Sequence, residues 1–94
     1  MTLTVNFLEF SILDKLEINK RVLKILEKKK PIPLEDLIEK LDYRYLDEGH
    51  VDSFSILNII MELETEFNID LTAEDTESDN FRTPGGIVKI IETK

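Results

Sequence analysis

The fold turns on residues 52–67, DSFSILNIIMELETEF, where two polar residues run into a long apolar-patterned stretch. At about 100° per residue, Ile56, Ile59, Ile60, Leu63 and Phe67 fall on one stripe, the pattern of a helix with one face in a core. Asp52 stands where a carboxylate can accept from the free N–H groups of a first helical turn, so the spacing predicts a helix over 53–67. Ser55, Asn58, Glu62, Thr65 and Glu66 make a polar face. Phe54, Leu57 and Met61 form a second apolar patch, roughly opposite the core stripe and next to Ser53. A helix that only covered a core would keep that side polar. The patch therefore predicts an apolar neighbour, whether a partner protein, a bound chain or a flanking loop.

Working outward, residues 18–29, INKRVLKILEKK, put Ile18, Val22, Ile25 and Leu26 at helical spacing with bases on the other face. The KPIP that follows ends this helix, because proline cannot continue it and biases the residue before it toward extended backbone. LEDLIEKL, residues 34–41, reads as a helix of about two turns. DYRYLDEG reads as a loop, and NIDLTAEDTESDN as an acidic, irregular connection. In TPGGIVKIIE, Thr83 suits an N-cap and Pro84 the first helical position. Gly85 and Gly86 each weaken a helix by about 1 kcal/mol relative to alanine, which makes this last helix the least stable by expectation. Residues 2–12 could form an extended segment.

The expected architecture is all-α: a small three- to four-helix bundle with long connecting loops. It forms one domain over 1–94, with 1–13 an N-terminal extension of unassigned structure and role. The expected core combines Leu23 and either Ile25 or Leu26 with Ile60, Leu63 and Phe67. Ile87 and either Ile90 or Ile91 complete it.

Composition narrows the function classes. A chain of 94 residues buries about 60–65% of its unfolded surface, too little for a deep enzyme cleft. Having no cysteine, it has no disulfides, thiolate metal sites or thiol catalysis. MTLTVNFLEFSILDKL lacks a basic n-region and a small-residue cleavage site, so no signal peptide is expected. No apolar run approaches the roughly 20 residues of a membrane span, and a cytoplasmic location is expected. The net charge of −8 is uneven: residues 1–51 hold ten acids and nine bases, residues 52–94 ten acids and three bases. An acidic half repels phosphate backbones, so nucleic acid is not an expected partner. Basic protein surfaces are.

Two chemistries fail on their residue requirements. A hydrolase serine needs a base, a group orienting that base, and oxyanion donors. Here the single histidine, His50, sits three residues before Ser53 on the loop side, and no glycine-framed elbow surrounds the serine. His50 is expected to be a solvent-exposed loop residue. A calcium loop starting at Asp75 would have Asn80 where glycine is needed and Gly86 where a bidentate glutamate is needed. No metal ligand set is expected.

From about Leu46 to Ile91 the chain resembles the acyl carrier protein family, with helix 18–29 standing where that family has its first helix. The resemblance rests on Asp52-Ser53-Phe54, similar to the family's Asp-Ser-Leu, preceded by LDEGHV and followed by ILNIIMELETEFNIDL. It implies that Ser53 carries 4′-phosphopantetheine, transferred from coenzyme A by a phosphopantetheinyl transferase, and that Asp52 helps hold the transferase's magnesium. It also implies that Phe54, Leu57 and Met61 flank the arm and face partners or cargo, with Glu62 and Glu66 adding negative charge for a basic partner. Ser55 and Asn58 stand where fatty-synthesis carriers usually have acids. The ending NFRTPGGIVKIIE looks like the D-alanyl carrier proteins and the stand-alone carriers of specialised pathways. That likeness implies an AMP-forming acyl or aminoacyl ligase as partner, with a ketosynthase or acyltransferase as further candidates, and a non-enzymatic, monomeric carrier. The alternative from another class is an acidic helical adaptor that binds proteins without an arm.

Overall fold

The computed structural model describes the backbone of residues 7–28 and 30–94, with side chains from residue 14 onward. Five α-helices and one 3-10 turn make up the regular structure, with no strand among the described residues. The all-α expectation holds, carried by three longer helices: α1 (Phe7–Leu26), α3 (Ser53–Phe67) and α5 (Pro84–Glu92).

α1 is longer than the periodicity of 18–29 indicated, and it corrects the extended reading of 2–12. Residues 7–12 are helical, while 2–6 lie outside the described residues. No proline or glycine interrupts residues 7–26, so a helix nucleated by packing of its second half propagates backward at one hydrogen bond per residue. At its other end α1 stops at Leu26, short of the KPIP segment. The Glu27 carboxylate there accepts the Ile32 N–H at 2.9 Å and pairs with Lys40 at 3.1 Å. This anchors the buried Ile32 beneath the turn. Only Leu37–Leu41 (α2) of the expected helix 34–41 is helical, and its N-cap Asp36 makes no side-chain cap.

α3 begins and ends as its sequence predicts. The Asp52 carboxylate accepts the Ser55 N–H at 2.8 Å, and Asn68 closes the helix in the left-handed region at φ 52°. Asparagine tolerates that conformation better than most residues. Ile59 and Leu63 are buried, and Ile56, Ile60 and Phe67 pack against the core at partial burial.

The connection from 68 to 80 is more ordered than its acidic composition suggested. Thr72 and Asp75 form a reciprocal capping box that starts α4 (Ala73–Glu77), and a 3-10 turn (Asp79–Arg82) then drives Phe81 into the core. The S/T-x-x-E/Q box normally uses glutamate or glutamine at its fourth position; Asp75 does the same work here. α5 follows with the Thr83 hydroxyl accepting the Gly86 N–H at 3.0 Å. It is the central element, packed on the 3-10 turn, α1 and α2.

The core cluster joins Val22 and Leu26 of α1, Ile59 and Leu63 of α3, and Ile87, Val88, Ile90 and Ile91 of α5. Tyr45 and Phe81 complete it. Of the expected residues, Leu23 is buried but outside this cluster, and Ile25, Ile60 and Phe67 line its edge.

Candidate functional site

Ser53 is the first residue of α3 and is exposed. A helical Cα–Cβ bond tilts toward the N-terminus, so the side chain leaves the helix at its leading end. Unsatisfied N–H groups and the positive end of the dipole meet there, in a helix of 15 residues. Asp52 is exposed beside it and has its Oδ1 committed to the Ser55 N–H. Beyond Ser53, Phe54, Leu57 and Met61 are 81%, 60% and 63% exposed, the values expected of an apolar patch turned away from the core.

His50 corrects the expectation of an exposed loop residue, being only 9% exposed. Its Nε2 lies 2.9 Å from the Lys30 carbonyl and its ring meets Tyr43 edge-on at 5.7 Å. A carbonyl only accepts, so Nε2 carries the proton in this bond. The buried Nδ1 has no hydrogen-bond partner. His50 thus ties the segment after α1 to the loop leading into α3, while its backbone N–H is held by the Tyr45 carbonyl at 2.9 Å. That is a positioning role, not the arrangement of a base beside Ser53.

Glu62 and Glu66 turn toward α1. Glu62 pairs with Lys28 at 2.9 Å and Glu66 with Arg21 at 3.5 Å, and Arg21 also lies 3.4 Å from Glu17. These pairs were not read from the sequence, because Arg21 and Lys28 stand seven residues apart and Glu62 and Glu66 four, so no common spacing signals them. Between the loop before α3 and the 3-10 turn, Arg44 and Arg82 bracket Asp47 and Asp79. The Arg44 guanidinium holds the Asp47 carboxyl below its usual value.

Asp75, the would-be start of a calcium loop, is spent on the Thr72 cap and on Lys94 at 2.6 Å. Among the described residues no cluster of three or more histidine, aspartate or glutamate side chains could hold a metal ion, and no helix is long and apolar enough to cross a membrane.

No family model matches the chain, and no solved structure matches it. Among curated proteins, the D-alanyl carrier protein of Bacillus cereus (strain B4264) is 30% identical over 77 residues, 81% of this chain and 94% of the relative. The D-alanyl carrier protein of Bacillus anthracis (strain CDC 684 / NRRL 3495) matches with the same identity and coverage. With nearly the whole length of these relatives covered, and an all-helical fold that fits them, the chain belongs to the carrier protein family.

Proposed function

We propose that the protein carries acyl or aminoacyl cargo on a 4′-phosphopantetheine arm attached to Ser53, and performs no chemistry on the cargo itself. The observation that carries this reading is an exposed hydroxyl at the first position of α3, with the exposed Phe54, Leu57 and Met61 beside it. The residues fit the group: a phosphodiester at that position meets the N-terminal N–H groups of a long helix. The arm supplies a thiol that the cysteine-free chain lacks, and that thiol holds the cargo as a thioester.

In the loading step the Ser53 oxygen forms the new phosphorus–oxygen bond as the pyrophosphate bond of coenzyme A breaks. Adenosine 3′,5′-bisphosphate departs, and the hydroxyl proton passes to the phosphopantetheinyl transferase. Asp52 assists by holding the transferase's magnesium ion. A carboxylate has about four acceptor positions, so capping the Ser55 N–H is compatible with that role. The D-alanyl carrier relatives favour a small aminoacyl cargo, loaded in the cytoplasm by a dedicated AMP-forming ligase.

Co-expression with a broad-specificity phosphopantetheinyl transferase followed by intact mass measurement tests the reading. The expected result is one arm per chain, absent in Ser53→Ala and present in Ser55→Ala. An unmodified mass, or an arm that survives Ser53→Ala, would leave the acidic adaptor as the better account.

A further inference from the structure

The half of the chain containing α3 has a large negative charge, which by itself predicts a basic partner. The surface beside the apolar patch carries the opposite local balance. An open groove of about 860 Å³ runs between α1 and α3, with Ile25 and the exposed Met61 as its apolar lining. Its α3 wall contributes Glu62 and Glu66, and both are neutralised by Lys28 and Arg21 across the groove. Glu17, the remaining acid of the lining, also lies against Arg21. Lys20 and Lys24 line the same groove, are exposed, and have no carboxylate partner among the described residues. The lining therefore holds four bases against three acids in a chain of net charge −8. At physiological salt, screening acts over about 8 Å. The sign felt by a docking segment is thus set by the groove and not by the chain's total.

We infer that this groove receives a partner segment bearing carboxylates for Lys20 and Lys24 and an apolar side chain for Ile25 and Met61. The enzymes that service Ser53 therefore dock with an acidic rim. The identity of the partner as such an enzyme rests on the carrier reading; the groove's preference for an acidic segment does not. Asn58 belongs to the same logic, since it lines the groove without adding negative charge.

Two amphipathic helical peptides with the same Leu/Phe apolar face test the inference, one rimmed with glutamates and its twin with lysines. Each is titrated at physiological ionic strength into the unmodified protein, and backbone amide shifts are followed by NMR. The glutamate peptide is expected to bind about tenfold more tightly, the scale of two exposed charge pairs at the upper end of their range. Its shifts should centre on Lys20, Lys24, Ile25 and Met61. The double substitution Lys20→Glu with Lys24→Glu, both on the surface, should reverse the preference. Tighter binding of the lysine peptide, shifts centred elsewhere, or no binding of either peptide would overturn it. Because these titrations need no arm, their failure is separate from an unmodified mass in the loading experiment.

Discussion

The Tyr45 hydroxyl donates to the Phe81 carbonyl, joining the loop that leads into α3 to the turn that leads into α5. The two rings also meet edge-on, with centroids 6.4 Å apart, and both side chains are buried. Burial pushes the Tyr45 phenol well above its ordinary value of 10.0, so it stays a donor throughout the working pH range. Tyr45→Phe keeps the ring and withdraws the donor from a buried carbonyl, which costs about 1–3 kcal/mol. Urea denaturation should show a lower midpoint with an unchanged slope. An unchanged midpoint would mean that the ring packing alone joins the two segments.

Leu63, in the second half of α3, is fully buried in the core cluster with residues of α1 and α5. Leu63→Ala should cost about 2–5 kcal/mol, the range for removing a buried leucine side chain from a core that relaxes only in part. That is a large share of the stability of a small domain. Leu57→Ala on the same helix removes an exposed side chain and should change the denaturation midpoint very little.

Gly86 separates helix propensity from packing. Propensity alone makes Gly→Ala inside a helix stabilising by about 1 kcal/mol. A Cβ on Gly86 would stand 1.8 Å from the Asn80 carbonyl oxygen, inside the space where the 3-10 turn crosses α5. A Cβ on Gly85 would stand 2.9 Å from the Leu41 carbonyl oxygen of α2. Gly86→Ala should therefore lower Tm, and by more than Gly85→Ala. The two glycines that read as a weakness in the sequence are the contact that lets α5 sit at the centre.

What the sequence made legible follows from where the physics is local. The 53–67 helix, its Asp52 cap and its apolar stripe are set by residues three and four apart, and they stand as read. The Thr83 cap before Pro84 stands for the same reason. Tyr45, Phe81 and His50 were missed because each is buried by an element distant in the chain, and nothing in DYRYLDEGH or SDNFR has a period to betray it. The N-terminal part of α1 was missed because its apolar residues alternate about as well as they follow a helical stripe. At the site, Ser53 and the exposed patch were readable from one helix, whereas the neutralised Glu62 and Glu66 needed the position of a second.

The Asp52 cap should be measurable apart from any loading chemistry. Asp52→Ala removes the acceptor for the Ser55 N–H and should cost about 1 kcal/mol. Amide exchange should speed up at the first turn of α3, while the last turn, closed by Asn68, stays protected. Asp52→Asn retains an acceptor and should recover most of the loss. If the asparagine variant were restored in stability yet loaded slowly by the transferase, the charge of Asp52 would be doing work beyond the cap.

Asp75 gives the protein an acid-sensitive corner. Its carboxylate is held below the ordinary value of 3.8, first by the hydrogen bond from Lys94 and then by the Thr72 backbone N–H. A carboxyl whose folded value is lowered adds stability that is fully present above 3.8, the value of the unfolded chain, and fades as the pH falls through the folded value. Acidification should therefore loosen the α4 capping box and release the C-terminal Lys94 together. Carboxyl carbon NMR should give Asp75 a midpoint below 3.8, moving up toward 3.8 in Lys94→Ala and stopping short of it because Thr72 still donates. Added salt should shrink the Lys94 part of the shift, since the pair lies near the surface and is open to screening. A midpoint indifferent to both Lys94→Ala and salt would assign the effect to the Thr72 cap alone.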